Sequence, residues 1–67
     1  MKYWLNDEVR DDGTRIVHAE DCQFLPNEGN RTALGDHDGC EGAIKAAGDE
    51  ADKVNGCHTC CSDCHSG

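Results

Sequence analysis

The apolar positions of this chain fall into two short stretches near the start and one helical stripe further on. Lys2-Tyr3-Trp4-Leu5-Asn6 and Thr14-Arg15-Ile16-Val17-His18 are rich in the aromatic and β-branched residues that suit a pleated, half-buried strand. Asp12-Gly13 between them is a strong turn signal, so the pattern predicts a β-hairpin over 2–6 and 14–18 with its turn near Asp11–Gly13. Side chains alternate along a strand, which puts Ile16 and His18 on one face, with His18 at the strand's exit and pointing inward. Residues 19–35 carry Pro26, Asn27, Gly29, Asn30 and Gly35 and read as loop. One turn is expected around Cys22–Leu25, with Phe24 and Leu25 anchoring the loop on the core.

From Cys40 the period changes. Cys40, Ala43, Ile44, Ala47, Ala51 and Val54 recur at helical spacing with charged residues between them. Asp38 and Glu41 have the spacing of a capping box, and Asp36 adds negative charge near the same end. Gly48 weakens or ends the helix, whose firm part is Cys40–Ala47. Gly56 then marks a turn into Cys57-His58-Thr59-Cys60-Cys61-Ser62-Asp63-Cys64-His65. The expected fold is α+β: a small zinc-stabilised domain over 1–67, built as an N-terminal β-hairpin, a loop, one helix and a C-terminal Cys-rich knuckle.

Composition explains why a metal enters this reading. Ordering 67 residues costs on the order of 100 kcal/mol at roughly 1.5 kcal/mol each, which so few large apolar side chains barely offset. Chains this short usually need a disulfide or metal staple, and six cysteines supply the means. Met1 is followed by Lys-Tyr-Trp-Leu-Asn-Asp-Glu, with no apolar run of signal-peptide type, and no stretch has the length of a membrane span. A cytoplasmic chain is therefore expected, and there clustered cysteines are more often metal ligands or redox groups than bridges. The even cysteine count keeps disulfides as the other reading. A net charge of −8 repels phosphate backbones and disfavours nucleic acid as a partner; the acidic surface suits a salty medium or a basic protein partner.

Zinc takes four tetrahedral ligands, best supplied as two close pairs from distant parts of the chain. Cys57-x2-Cys60 after Gly56 is the clear pair. His18-x3-Cys22, running from a strand end into the next turn, completes a Cys3His set. Taken alone, His18 could be an ordinary strand-end histidine and Cys22 a small buried hydrophobe. Cys61-x2-Cys64 repeats the same spacing beside His58 and His65. It could replace Cys57 and Cys60, or join His65 and Cys40 around a second ion. Cys40 on the apolar stripe reads as core, and His37 as a surface residue at the helix start.

The combination Tyr3-Trp4-Leu5-Asn6, Ile16-Val17-His18-x3-Cys22-x-Phe24-Leu25, Gly42-Ala43-Ile44-x2-Ala47 and Val54-x2-Cys57-x2-Cys60-Cys61 resembles the Ada-type zinc-binding domain superfamily, over roughly Tyr3 to Cys61. That superfamily includes the N-terminal domain of the bacterial Ada DNA-repair protein. The resemblance implies a ligand at the hairpin's end, a second after three residues and a later Cys-x2-Cys. By position these are His18, Cys22, Cys57 and Cys60. In the repair protein the first ligand is a cysteine that accepts a methyl group from DNA phosphotriesters. Here His18 stands in that place, and imidazole lacks the sulfur nucleophile, so methyl transfer is not expected.

The sequence thus points to a monomeric zinc protein with a structural Cys3His site, acting as a protein-interaction module with no enzymatic activity. Saturated coordination leaves no position for a reactive water. The alternative is a thiol-based redox or metal-buffering role for the C-terminal Cys/His cluster.

Overall fold

A computed structural model describes residues 1–65. Among these residues, four strands form one sheet, β1 (Lys2–Asn6), β2 (Arg15–Ala19), β3 (Arg31–Asp36) and β4 (Val54–Gly56), and one α-helix, α1 (Cys40–Ala47), lies between β3 and β4. The order across the sheet is β3-β1-β2-β4. β1 pairs antiparallel with both β2 and β3, while β4 runs parallel to β2. The expected α+β class, hairpin and helix are all present.

The hairpin closes through Asp11–Gly13: the Gly13 amide donates to the Arg10 carbonyl at 2.8 Å, and Gly13 takes φ +88°, a left-handed conformation open to glycine. Arg15 then locks the base of the hairpin. Its Nε donates to the Asn6 carbonyl at 2.9 Å and its guanidinium pairs with Asp7 at 3.0 Å.

Alternation gives the sheet two different faces. Tyr3, Leu5, Val17 and Ala19 pack with Ala43 and Ala47 of α1 and with Cys61, and Leu5 and Val17 are fully buried. Each of these two side chains contributes about 2 kcal/mol through burial. Trp4, Ile16 and His18 alternate onto the opposite face, where Trp4 lies directly across from His18. Ile16 and His18 share a face as predicted, but it is the face turned away from the helix.

Several expectations are corrected. Residues 31–35, read as loop, belong to β3, an edge strand whose only large apolar side chain is Leu34 and whose pairing with β1 is broken by a bulge between Tyr3 and Trp4. Backbone pairing rather than apolar alternation makes this strand, and so the pattern hid it. Gly56, read as the start of a turn, ends β4. The helix follows the predicted bounds, yet its N-cap is Gly39 and no side chain caps it, so the Asp38–Glu41 capping box does not form. Phe24 does not anchor on the core; it is 53% exposed, as is Val9 at 56%. His37 is half-buried, with its Nε2 donating to the Leu34 carbonyl at 2.7 Å and its ring tilted against Tyr3. Cys40 packs against the core as expected, and its sulfur is bound in an unforeseen disulfide with Cys64. Those two sulfurs are thereby taken from any second ion built on Cys61, Cys64, His65 and Cys40. No helix among the described residues is long and apolar enough to cross a membrane.

Candidate metal centre

β2 delivers His18 as its penultimate residue. The chain then turns sharply, the Cys22 amide donating to the Ala19 carbonyl at 3.1 Å and the Leu25 amide to the Cys22 carbonyl at 3.1 Å. This pair of turns brings Cys22 back over His18, and it is the turn expected from the sequence around Cys22–Leu25.

The other pair arrives on β4. Because β4 is parallel to β2 with Gly56 opposite Val17, the residue after each partner emerges at the same level. These residues are Cys57 and His18. The Cys57 amide continues the ladder by donating to the Val17 carbonyl at 3.0 Å. The chain next closes one turn, with the Cys61 amide donating to the Cys57 carbonyl at 2.8 Å, and this carries Cys60 back beside Cys57.

The result is one group of four ligand atoms from His18, Cys22, Cys57 and Cys60, all within 4.8 Å of one another. Cys22 Sγ lies 3.6 Å from His18 Nδ1 and 3.9 Å from Cys57 Sγ, and Cys60 Sγ lies 4.0 Å from His18 Nδ1. His18 and Cys57 are each 5% exposed, so the group is held in the protein and not scattered over its surface. Such an arrangement could hold a metal ion. Among the described residues it is the one such group.

The environment sets the protonation of these atoms in opposite directions. Burial lowers the pKa of His18, and the positive charge of Arg10 lowers it further, so the ring is held neutral with a lone pair free to ligate. Burial pushes the Cys57 thiol up, but hydrogen bonds from the backbone at Cys60 and Thr59 and from the thiols of Cys60 and Cys22 outweigh it and leave the net shift downward. Cys60 is shifted upward, by burial first and then by its bond with Cys22. Of these two thiols Cys57 gives up its proton the more readily; a cation that replaced the thiol protons would let the sulfurs ionise.

One contributor had no signature in the sequence. The Ala19 amide donates to Cys60 Sγ at 3.3 Å, a backbone group that no residue type announces. Beside the group runs a cleft of about 420 Å³, bordered by His18, Cys57, Arg10, Phe24, His58 and His65. Phe24 stacks on His58, with ring centroids 6.4 Å apart. His58 and His65 therefore stand next to the four-atom group without entering it. Cys61, the nearest rival, places its sulfur 4.0 Å from Cys60 Sγ but is turned into the apolar core, 2% exposed.

Comparison with known proteins adds no name to this site, since no family model, no curated protein and no solved structure matches the chain.

Proposed function

We propose that this chain is a small zinc-binding protein whose Cys3His site is structural, and that the fold so stabilised serves as an interaction module for a protein partner. The mutual spacing of the four ligand atoms carries the reading. Zinc bonds of about 2.3 Å to sulfur and about 2.1 Å to nitrogen imply tetrahedron edges of about 3.8 Å between sulfurs and about 3.6 Å between sulfur and nitrogen. The distances of 3.9, 3.6 and 4.0 Å match those edges within a few tenths of an ångström. Three soft sulfurs and one imidazole are also the donor set that zinc favours over calcium or magnesium.

Four protein ligands fill a tetrahedral shell, which argues for support and against catalysis. The pattern of ligands keeps the resemblance to Ada-type zinc domains, with a histidine in place of the methyl-accepting cysteine. The net charge of −8 favours a basic protein surface over nucleic acid as the partner of a monomeric module. A cytoplasmic location accords with this reading if the Cys40–Cys64 bridge is a controlled one, since lasting structural bridges are rare there.

Native mass spectrometry with elemental metal analysis tests the proposal. One zinc per chain, with loss of the cooperative fold on removal by a strong chelator, is expected. A fold that persists unchanged after complete metal removal would overturn it.

A further inference from the structure

The segment after the metal ligands is strapped down at three points. Cys61 is buried in the core, and its carbonyl accepts from the Cys64 amide at 2.9 Å in a second turn that directly follows the ligand turn. His65 Nδ1 donates to the carbonyl of Gly56 at 3.0 Å, joining the strap back to the residue that precedes Cys57. The third point is covalent, from Cys64 to Cys40, the first residue of α1. The strap lies so close over Gly56 that a Cβ there would stand 2.9 Å from the Cys61 carbonyl oxygen and 3.0 Å from Cys64 Cβ.

Cys60 therefore sits between two fixed points, Cys57 on the β4 ladder and Cys64 on the helix start. Only Cys61, Ser62 and Asp63 separate the ligand from the bridge. Opening the bridge frees the strap from α1 and produces two thiols. One of them, Cys64, stands in Cys-x2-Cys spacing with Cys61, whose sulfur is already 4.0 Å from that of Cys60.

We propose that the Cys40–Cys64 disulfide is a redox clamp on the metal centre: closed, it holds the Cys57–Cys60 turn in its ligating shape, and opened, it loosens that turn and sets Cys61 and Cys64 against Cys60 for the ion. This inference rests on the zinc reading given above and assigns that site a means of control. The opening step is thiol–disulfide exchange with a dithiol reductant. The Sγ–Sγ bond between Cys40 and Cys64 breaks, the reductant's two sulfurs join in a disulfide, and its two protons end on Cys40 and Cys64. Two electrons pass to the protein, and the metal keeps its charge throughout. With the turn loosened, Cys57 and Cys60 would hold a bound ion less firmly, in the way that loss of outer supports weakens other metal sites.

The experiment measures zinc transfer from the full chain to a chromophoric chelator, before and after reduction with a phosphine, which has no thiol of its own to compete for metal. Native mass spectrometry of each form first counts zinc. Expected is one zinc in the oxidised form and roughly ten-fold easier stripping after reduction, reversed when the bridge is allowed to re-form. The C40S variant, which cannot form the bridge but keeps the Cys64 thiol, should behave as the reduced wild type in either condition; if that variant does not fold, the reduced and reoxidised wild type decide alone. Equal retention of one zinc by oxidised and reduced protein overturns the clamp while leaving the zinc site intact. Absence of zinc from the oxidised form overturns the zinc reading itself, and the clamp with it.

Discussion

The backbone amide of Ala19 donates to Sγ of Cys60 at 3.3 Å, linking residues 41 apart in the sequence. Ala19 immediately follows His18, so one strand end supplies both a ligand atom and a hydrogen bond to a second ligand. A donor aimed at a thiolate lowers the cost of its charge and fixes the direction of the sulfur. Removing the sulfur therefore removes two links between the halves of the molecule.

Substituting Cys60 or Cys57 by alanine is expected to abolish stoichiometric zinc binding, since either change leaves three ligands and breaks the pair on the β4 side. His18→Cys should keep one zinc, because a thiolate can serve where the imidazole stood, whereas His18→Ala should not. Cobalt substitution gives the check: the visible spectrum of the cobalt form reports tetrahedral thiolate coordination, and its persistence in Cys57→Ala would refute the assignment.

Metal affinity should rise with pH and binding should release protons. Burial and the bond with Cys22 push the Cys60 thiol up, so Cys60 holds its proton near neutrality in the metal-free protein and must lose it to ligate. Calorimetric titration with zinc in buffers of different ionisation enthalpy measures this directly. At least one proton per zinc is expected, and an apparent enthalpy that is the same in every buffer would contradict it.

Acid should weaken the fold through His18. Its pKa in the folded chain lies below the ordinary 6.5, first through burial and then through Arg10. Below pH about 6.5 the unfolded chain takes up the proton more readily than the folded one. Stability is thus whole above that pH and falls as pH drops toward the lowered value, after which this contribution levels off. Denaturant unfolding of the metal-loaded protein between pH 7 and 5 reads the slope, and a midpoint independent of pH over that range would contradict it.

Gly56→Ala is expected to destabilise by about 1–3 kcal/mol, the usual range for overpacking. The added methyl would press on the Cys61 carbonyl oxygen and on Cys64, neither of which is the end of a flexible side chain. Gly29→Ala meets nothing within 4 Å and serves as the control in urea unfolding.

Arg31→Ala should cost about 1 kcal/mol in the same assay, although the residue lies on an edge strand. Its guanidinium sits over the Trp4 ring at 4.2 Å from the centroid, and it donates to the Pro26 carbonyl at 3.1 Å. Arg31→Lys should restore only part of the loss, because an ammonium cannot stack flat on the ring.

The legible and illegible parts of this molecule divide along a physical line. β1, β2 and α1 bury side chains in a periodic pattern, and Tyr3, Leu5, Val17, Ala43 and Ala47 announce them. The four residues of the metal group were readable because ligand chemistry restricts the residue types and the local turns restrict their spacing. β3 and β4 are held by backbone hydrogen bonds at the sheet's margins, where Arg31-Thr32-Ala33-Leu34-Gly35-Asp36 and Val54-Asn55-Gly56 need little burial and show little pattern. The Cys40–Cys64 bridge was also hidden. Spacing suggests ligands, but a disulfide joins residues that the fold brings together, here the start of a helix and the end of a strap 24 positions later.

The parallel pairing of β2 with β4 has a bearing on how this chain could change. His18 and Cys57 each follow a paired residue, Val17 and Gly56, so their meeting depends on local register and not on the length of chain between them. Residues can be added or removed in the connections at 7–14, 23–30 or 48–53 while both ligands keep their places. A single residue gained or lost inside β2 or β4 instead turns one ligand to the other side of the sheet. Descendants of this chain should therefore vary freely in size and hardly at all in the phase of two short strands.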